Sequence, residues 1–203
     1  MGKLFKYPNG ETKELKEFKL KKTKNTSKAN LGSEFENSIN ESNEYYLKKG
    51  VAAIYKKPTP IQVVKVDYPA RSKAKITEAY YKTPSTTDYN GIYKEKYIDF
   101  EAKSCRELNF PFERLYEHQI KHLETVQNLG GIAFLIIEFS SINEVYILPS
   151  YLLLEKYLES LNGGRKSIPY DYIKDFGFLV KQGINPKLDY LQAVNKCYFK
   201  KQK

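Results

Sequence analysis

Two acidic side chains and one lysine fall on the same face of a predicted strand near the middle of the chain. In the segment 97–103 side chains alternate across the strand, which places Asp99, Glu101 and Lys103 together. The opposite, apolar face consists of Ile98, Phe100 and Ala102. Carboxylates and an ammonium held side by side against a core are costly unless a bound cation or a substrate uses them. Because Mg²⁺ binds oxygen ligands, usually one or two carboxylates with water and substrate phosphate, the pattern predicts a metal-assisted reaction at a phosphate group.

A further carboxylate, Asp88, stands in the loop just ahead of this strand. The surrounding residues, 83–91, are mostly turn formers, so Asp88 alone could be only a turn residue. Its position before the Glu-x-Lys strand favours a part in the same site. Asn90-Gly91 is typical of a tight reversal, and we expect that reversal to bring Asp88 back against the strand of Glu101.

Three other polar residues near this strand are of types that can bind metal ions. His118 and His122 lie four residues apart, a spacing that can bind zinc. No further Cys or His lies nearby in sequence, so we expect no zinc site. Asp99 shares the face of Glu101, and we expect it to make hydrogen bonds around the ligands rather than to bind the ion.

The remaining apolar patterns predict the elements that hold these residues in place. Apolar residues at helical spacing are expected to form helices at 33–49, 111–131 and 150–160. Runs rich in β-branched residues or alternating in polarity are expected to form strands at 51–56, 61–68, 74–81, 97–103, 132–139 and 144–149. This order is typical of a mixed α/β domain built on a central sheet.

The chain is strongly basic, with a net charge of +10, which suggests an acidic partner such as nucleic acid. Residues 1–30 hold nine lysines against three glutamates and lack a steady apolar period. We expect a basic, disordered N-terminal arm at 1–30, followed by one nuclease domain at 31–203. Such an arm adds salt-dependent affinity for phosphates, although it could also be only a solubilising tail. The basic turn at Arg165 and Lys166 could touch backbone phosphate but lacks the full consensus of a nucleotide-binding loop.

No segment predicts membrane insertion or export. The longest apolar run, 132–139, is far shorter than the roughly 20 residues of a membrane span. The N-terminus lacks the apolar core of a signal peptide, and Cys105 and Cys197 do not make a disulfide framework. We expect no membrane partner and a reducing cytoplasm, where the protein would associate with the nucleoid.

Six segments together resemble the RecU family of bacterial Holliday junction resolvases. Within them Asp88, Glu101 and Lys103 match the PD-(D/E)xK nuclease motif. The resemblance covers nearly everything after the first thirty residues. The segments are KKPTPIQVV (56–64), YPARSKAKI (68–76), EAYYKTPSTTDYNG (78–91), YIDFEAK (97–103), EHQIKHL (117–123) and GGRKSIP (163–169).

The resemblance implies a fold, a reaction and a cofactor. The implied fold is restriction-endonuclease-like, a mixed central sheet flanked by helices, with a protruding stalk inserted between strands at about 60–80. The implied activity is a Mg²⁺-dependent endodeoxyribonuclease that resolves Holliday junctions symmetrically, with Mn²⁺ as a candidate substitute. The implied metal ligands are Thr86, Asp88, Glu101 and Gln119, and the implied catalytic residues are Asp88, Glu101 and Lys103. Glu36 is an outside candidate for the metal site, although an acid in the first turn of a helix also favours the helix dipole.

The resemblance also implies partners. The stalk would enter the centre of a four-way DNA junction and carry Arg71, Lys73 and Lys75 to its backbone, unless this loop serves only solubility. A junction has two-fold symmetry, and paired cuts by one active site per chain imply a homodimer. The family further suggests contacts with a recombinase and with branch-migration proteins.

Two other interpretations stay open at this point. A basic, tyrosine-rich chain could be a non-catalytic nucleic-acid-binding module on which bases stack, although this leaves the acidic pair and the lysine unexplained. A nuclease of the same fold could instead act on linear DNA.

Overall fold

A six-stranded sheet forms the centre of the computed structural model, which describes residues 4–6, 12–14, 28–82 and 86–199. Side chains are described from residue 32 onward, except that of Arg71. The strands are β1 (Leu4–Lys6), β2 (Thr12–Glu14), β3 (Ala52–Lys56), β4 (Ile61–Asp67), β5 (Lys75–Tyr81), β6 (Tyr89–Tyr93), β7 (Lys96–Cys105), β8 (Asn109–Pro111), β9 (Ile132–Phe139), β10 (Glu144–Pro149), β11 (Ser167–Pro169), β12 (Phe178–Leu179), β13 (Lys181–Gln182) and β14 (Leu188–Asp189). The α-helices are α1 (Lys28–Lys48), α2 (Glu117–Asn128), α3 (Ser150–Leu161), α4 (Tyr170–Phe176) and α5 (Tyr190–Val194). Single turns of 3₁₀-helix occur at Arg71–Lys73 and Phe112–Arg114, and a π-helical turn at Asn195–Phe199.

The central sheet is mixed, in the order β12-β10-β9-β7-β6-β3. Its middle pair, β7 and β9, is parallel, and Glu101 lies opposite Leu135. The other neighbouring pairs are antiparallel. The prediction of a mixed central sheet flanked by helices is therefore confirmed.

Strand β9 is apolar almost throughout because both faces of the sheet are covered. Ile132, Phe134 and Ile136 belong to the core that includes α1 residues and the C-terminal segment. Ala133, Leu135 and Ile137 belong to a second core with residues of α2, α3 and α4. The alternation predicted for β7 is also present, since its apolar residues 98, 100 and 102 all join the α1 core.

The stalk is a two-stranded hairpin of β4 and β5, inserted between core strands β3 and β6. Every residue of both strands is exposed. At its base, the backbone N–H of Lys82 donates to the carbonyl of Pro60 at 3.0 Å. The predicted stalk thus has the form of a narrow hairpin that leaves and re-enters the domain at one point.

Three sequence expectations about local structure differ from the structure. Asn90-Gly91 does not turn; both residues lie inside β6, and the reversal comes at Lys94 and Glu95, which both have positive φ. The second predicted helix starts six residues late, at Glu117, because residues 111–116 first form the end of β8 and a 3₁₀ turn that buries Phe112 and Leu115. Helix α1, in turn, begins five residues earlier than expected, at Lys28.

The predicted arm at 1–30 lies outside the described residues apart from the β1–β2 pair and the start of α1. Its disorder and its role stay predictions. Among the described residues no helix is long and apolar enough to cross a membrane.

Candidate active site

Strand β7 carries Glu101 and Lys103 on the face that packs against α2. Glu101 is fully buried, while Lys103 is half-buried. The Lys103 ammonium donates a hydrogen bond to Glu101 Oε1, and Gln119 Nε2 donates to the same oxygen at 2.8 Å. One carboxylate oxygen of Glu101 is thus held by a cation and an amide.

Asp88 lies alongside Glu101 because β6, which starts at the next residue, pairs with β7. Tyr89 is opposite Phe100 in this pairing. Asp88 Oδ2 accepts a hydrogen bond from the backbone N–H of Ala102 at 3.2 Å. The Asp88 carbonyl accepts from the backbone N–H of Lys57 at 2.7 Å, which ties its loop to the chain that leaves β3.

These residues line one cavity of about 430 Å³ at the base of the stalk. It gathers all the predicted catalytic and metal-binding residues and adds several that the sequence did not single out, among them Lys56 and Lys57. The lining residues are Glu36, Lys56, Lys57, Pro58, Thr59, Pro60, Thr86, Thr87, Asp88, Glu101, Lys103, Tyr116 and Gln119. A larger groove of about 620 Å³ beside α1 has Asp189 as its one carboxylate, and this already accepts a hydrogen bond from Tyr46.

The Glu101 carboxyl has a pKa that its surroundings in the cavity shift. Burial raises its pKa to about 7, and the neighbouring Asp88 carboxylate acts in the same direction, while Lys103 lowers it. Its second oxygen, Oε2, is buried and accepts no hydrogen bond from any residue that the structure describes. A buried carboxylate oxygen without a donor, next to a second carboxylate, has the properties of a cation ligand.

The donor set fits a hard divalent ion. Asp88 and Glu101 supply carboxylate oxygens, and Thr86 adds a half-buried hydroxyl at the cavity wall. Mg²⁺ commonly takes one or two carboxylates and completes its shell with water and substrate phosphate. Across the described part of the chain, no group of three or more His, Cys, Asp or Glu side chains is placed to hold an ion without such help.

Gln119 reaches the site because it stands in the first turn of α2. Its Oε1 accepts from the backbone N–H of Tyr116 at 3.0 Å and so caps the helix, while its Nε2 holds Glu101. Gln119 would therefore have to release the helix cap to offer its oxygen to a metal ion.

Lys56 and Glu36 pair with each other at the cavity wall. The Lys56 ammonium donates to Glu36 Oε2, and both side chains remain partly exposed. Glu36 therefore lies near enough to the site to be a further metal-binding candidate, but its carboxylate is paired with Lys56.

Asp99 contacts Tyr97 of its own strand and residues from three other segments of the chain. Its fully buried carboxylate accepts hydrogen bonds from Lys57, Thr87, Tyr97 and His122. The alternation of residues along β7 predicts Asp99 on the face of Glu101, whereas nothing in the sequence near Lys57 and Thr87 marks them as its partners. His118, the other histidine of α2, stacks on the ring of Tyr116.

The predicted DNA-binding residues lie outside this cavity. Lys73 and Lys75 are exposed at the far end of the stalk, while the side chain of Arg71 lies outside the described residues. Arg165 and Lys166 are exposed in the turn between α3 and β11, where the Lys166 ammonium donates to the Ser160 carbonyl.

Comparison with known proteins identifies relatives over most of the chain. The family model described as "RecU: Recombination protein U" matches residues 30–196. The chain is 46% identical over 198 residues to the Holliday junction resolvase RecU of Geobacillus sp. (strain WCH70), covering 97% of this chain and 98% of that one. It is 50% identical over 169 residues to the protein of the same name from Streptococcus gordonii, covering 83% and 84%. A solved structure of Hjc, a Holliday junction resolvase of Archaeoglobus fulgidus, matches 59% of this chain and 78% of its own at 16% identity, but its TM-score of 0.37 is too low to support a conclusion.

Proposed function

The chain belongs to the RecU family of recombination proteins, and we propose that it is an endonuclease that resolves Holliday junctions during DNA recombination and repair. The observation that carries this proposal is the cavity at the base of the stalk. It brings Asp88 and Glu101 together with the ammonium of Lys103, and leaves one buried oxygen of Glu101 without a donor. This combination has no evident structural purpose, and it suits hydrolysis of a phosphodiester.

A divalent cation, in our proposal Mg²⁺, would be held by Asp88 and Glu101 with help from Thr86 and Gln119. When bound, such an ion polarises a phosphoryl oxygen and makes water a better nucleophile. Lys103 holds its ammonium beside Glu101, where it can orient the attacking water or offset the negative charge that builds on the phosphate. Gln119 fixes the Glu101 carboxylate against rotation through its 2.8 Å hydrogen bond.

The stalk and the basic residues would bind the junction. Lys73 and Lys75, with Arg71, lie at the far end of an exposed hairpin, where they can reach backbone phosphate. The stalk leaves the domain directly beside the cavity, since Pro58–Pro60 line the cavity and lead straight into β4. A homodimer would present two such cavities to the two opposed strands of the junction.

We expect the wild-type protein to nick a labelled synthetic four-way junction symmetrically in Mg²⁺, and to cut the corresponding linear duplex far less. EDTA should abolish cutting, and Mn²⁺ should restore it. Product sizes on a denaturing gel provide the measurement. Equal cutting of junction and duplex would support a nuclease for linear DNA, whereas tight junction binding without cutting in any metal would support a non-catalytic binding module.

We expect Lys103→Ala to lower the single-turnover rate of junction cutting by about 10²–10³-fold, the usual effect of removing one preorganised charge-stabilising donor. The dissociation constant for the junction, measured in Ca²⁺, should change little. Lys103 is partly buried in the cavity, and the exposed lysines of the stalk are untouched. Lys174→Ala, which removes an exposed lysine of α4, is the matched control and should cut at the wild-type rate. A Lys103→Ala protein that cuts normally at saturating concentration would remove this residue from the mechanism.

A further inference from the structure

Asp99 stands at the centre of a closed hydrogen-bond cluster beside the proposed cleavage site. Oδ2 accepts from Lys57 Nζ at 2.7 Å, from the Tyr97 hydroxyl at 2.7 Å and from His122 Nε2 at 3.1 Å. Oδ1 accepts from the Thr87 hydroxyl, which in turn accepts from Lys57 Nζ at 3.0 Å. The Asp99 side chain is fully buried, and the Lys57 and His122 side chains are largely so, at 18% and 23% exposure.

Three of the four donors to Asp99 come from segments that carry the proposed metal ligands, and the fourth, Lys57, is bonded to one of these segments. Thr87 immediately precedes Asp88 in the chain. Lys57 donates its backbone N–H to the Asp88 carbonyl at 2.7 Å, so the same residue holds the Asp88 loop at two points. His122 lies one helical turn after Gln119 on α2. Asp99 therefore ties the Asp88 loop and the Gln119 helix to the strand of Glu101.

The hydrogen bonds of Asp99 distinguish it from Glu101 on the same strand face. Both carboxylate oxygens of Asp99 accept hydrogen bonds, Oδ2 from three donors and Oδ1 from the Thr87 hydroxyl. Glu101 Oε2, two residues along the same strand face, is buried and has no donor among the described residues. The two acids of this strand face thus differ: both oxygens of Asp99 accept hydrogen bonds, whereas Oε2 of Glu101 accepts none from the described residues.

We propose that Asp99 is a positioning residue that sets the metal affinity of the cleavage site, acting through Thr87 on Asp88 and through His122 on the helix of Gln119. This inference rests on the proposed function, because it takes Asp88 and Glu101 to be the metal ligands. Partners that orient metal ligands typically change metal affinity or activity by about 10–100-fold when they are removed. A cluster that spans two of the ligand-bearing segments should act at this scale.

The test measures binding of Mn²⁺ alone to the DNA-free, full-length protein, followed by EPR of the free ion. Asp99→Asn keeps the side-chain shape but replaces one acceptor oxygen by an amide donor that faces other donors. Thr87→Val removes the hydroxyl at nearly constant shape and without a change of charge, and Thr87→Ser restores the hydroxyl. Comparing Thr87→Val with Thr87→Ser measures the effect of positioning without the loss of negative charge that Asp99→Asn causes. The same comparison serves as the test if Asp99→Asn does not fold.

We expect Asp99→Asn and Thr87→Val to bind Mn²⁺ about 10-fold more weakly or worse, and Thr87→Ser to bind nearly as the wild type does. The Mg²⁺ concentration at half-maximal junction cutting should rise in the same order. Ile173→Val, a buried substitution in the core of α4, controls for lost stability and should leave Mn²⁺ binding unchanged.

Three results would overturn the inference: wild-type Mn²⁺ affinity in Thr87→Val, equal losses in Thr87→Val and Thr87→Ser, or an equal loss in Ile173→Val. Failure of the proposed function would look different. In that case the wild type itself would bind no Mn²⁺, or would bind it with an affinity that Asp88→Ala does not change.

Discussion

Asp88→Ala is expected to slow the cutting of a four-way junction by about 10³–10⁴-fold and to leave junction binding almost unchanged. The magnitude follows from losing a metal ion that contributes several kcal/mol to the transition state, at about 1.4 kcal/mol for each tenfold change in rate. Binding should persist because the exposed stalk, which carries Lys73 and Lys75, is untouched. The single-turnover rate in Mg²⁺ and the dissociation constant in Ca²⁺ provide the two measurements.

Asp175→Ala is the matched control for this change. Asp175 is an exposed acid of α4 that does not line the cavity, so its loss alters the net charge equally without affecting the site. An Asp88→Ala protein that cuts at the rate of Asp175→Ala would show that the acidic pair does not bind the ion. Parallel loss of cutting and of junction binding would instead indicate that Asp88 supports the fold.

Gly91→Ala is expected to destabilise the domain by about 3 kcal/mol or more. Gly91 lies in β6 opposite Ile54 of β3, and a Cβ added there would stand 2.0 Å from the carbonyl oxygen of Ala53 and 2.6 Å from the Cα of Ile54. These are backbone atoms, so relief requires the two strands to separate. A loss of this size corresponds to a fall of roughly 6–12 °C in Tm for a domain of this length, measurable by calorimetry.

Gly32→Ala provides the contrast. Gly32 lies inside α1, and a Cβ added there meets nothing within 4 Å. The same substitution should therefore stabilise the protein by about 0.5–1 kcal/mol, through helix propensity alone. If Gly91→Ala unfolded at the wild-type temperature, β3 and β6 could not approach each other as closely as described.

The local alternation of residues made the strand of Glu101 predictable. One face of 97–103 is apolar and the other is charged, and the structure buries the apolar face in the α1 core. The run 132–139 was predictable for the same kind of reason, since a short apolar segment between two glycines and two serines fits a strand covered on both faces. These features depend on neighbours within a few residues.

The position of one turn and the partners of Asp99 depend on tertiary contacts, which local sequence patterns do not reveal. Asn90-Gly91 has turn propensity, but Gly91 is needed inside β6 for the close approach of β3. The turn therefore lies at Lys94-Glu95, although lysine and glutamate rarely adopt positive φ values. Lys57 and Thr87 lie 42 and 12 residues before Asp99, and neither has a local pattern that marks it as a partner of a buried acid. Gln119 stood out only through the family resemblance.

The stalk begins and ends at nearly one point, where Lys82 donates to the Pro60 carbonyl. We call this hydrogen-bonded pair the neck of the stalk. When the core folds, the ends of β3 and β6 are held together at the neck, so the length of the hairpin beyond it matters little. Even an unstructured loop would add only about 0.6 kcal/mol of closure entropy for each doubling of its length. Insertions or deletions beyond the neck can thus change how far the stalk reaches into a substrate, while the cavity that it adjoins stays as it is. The length of the stalk and the residues of the cavity can therefore evolve separately in this architecture.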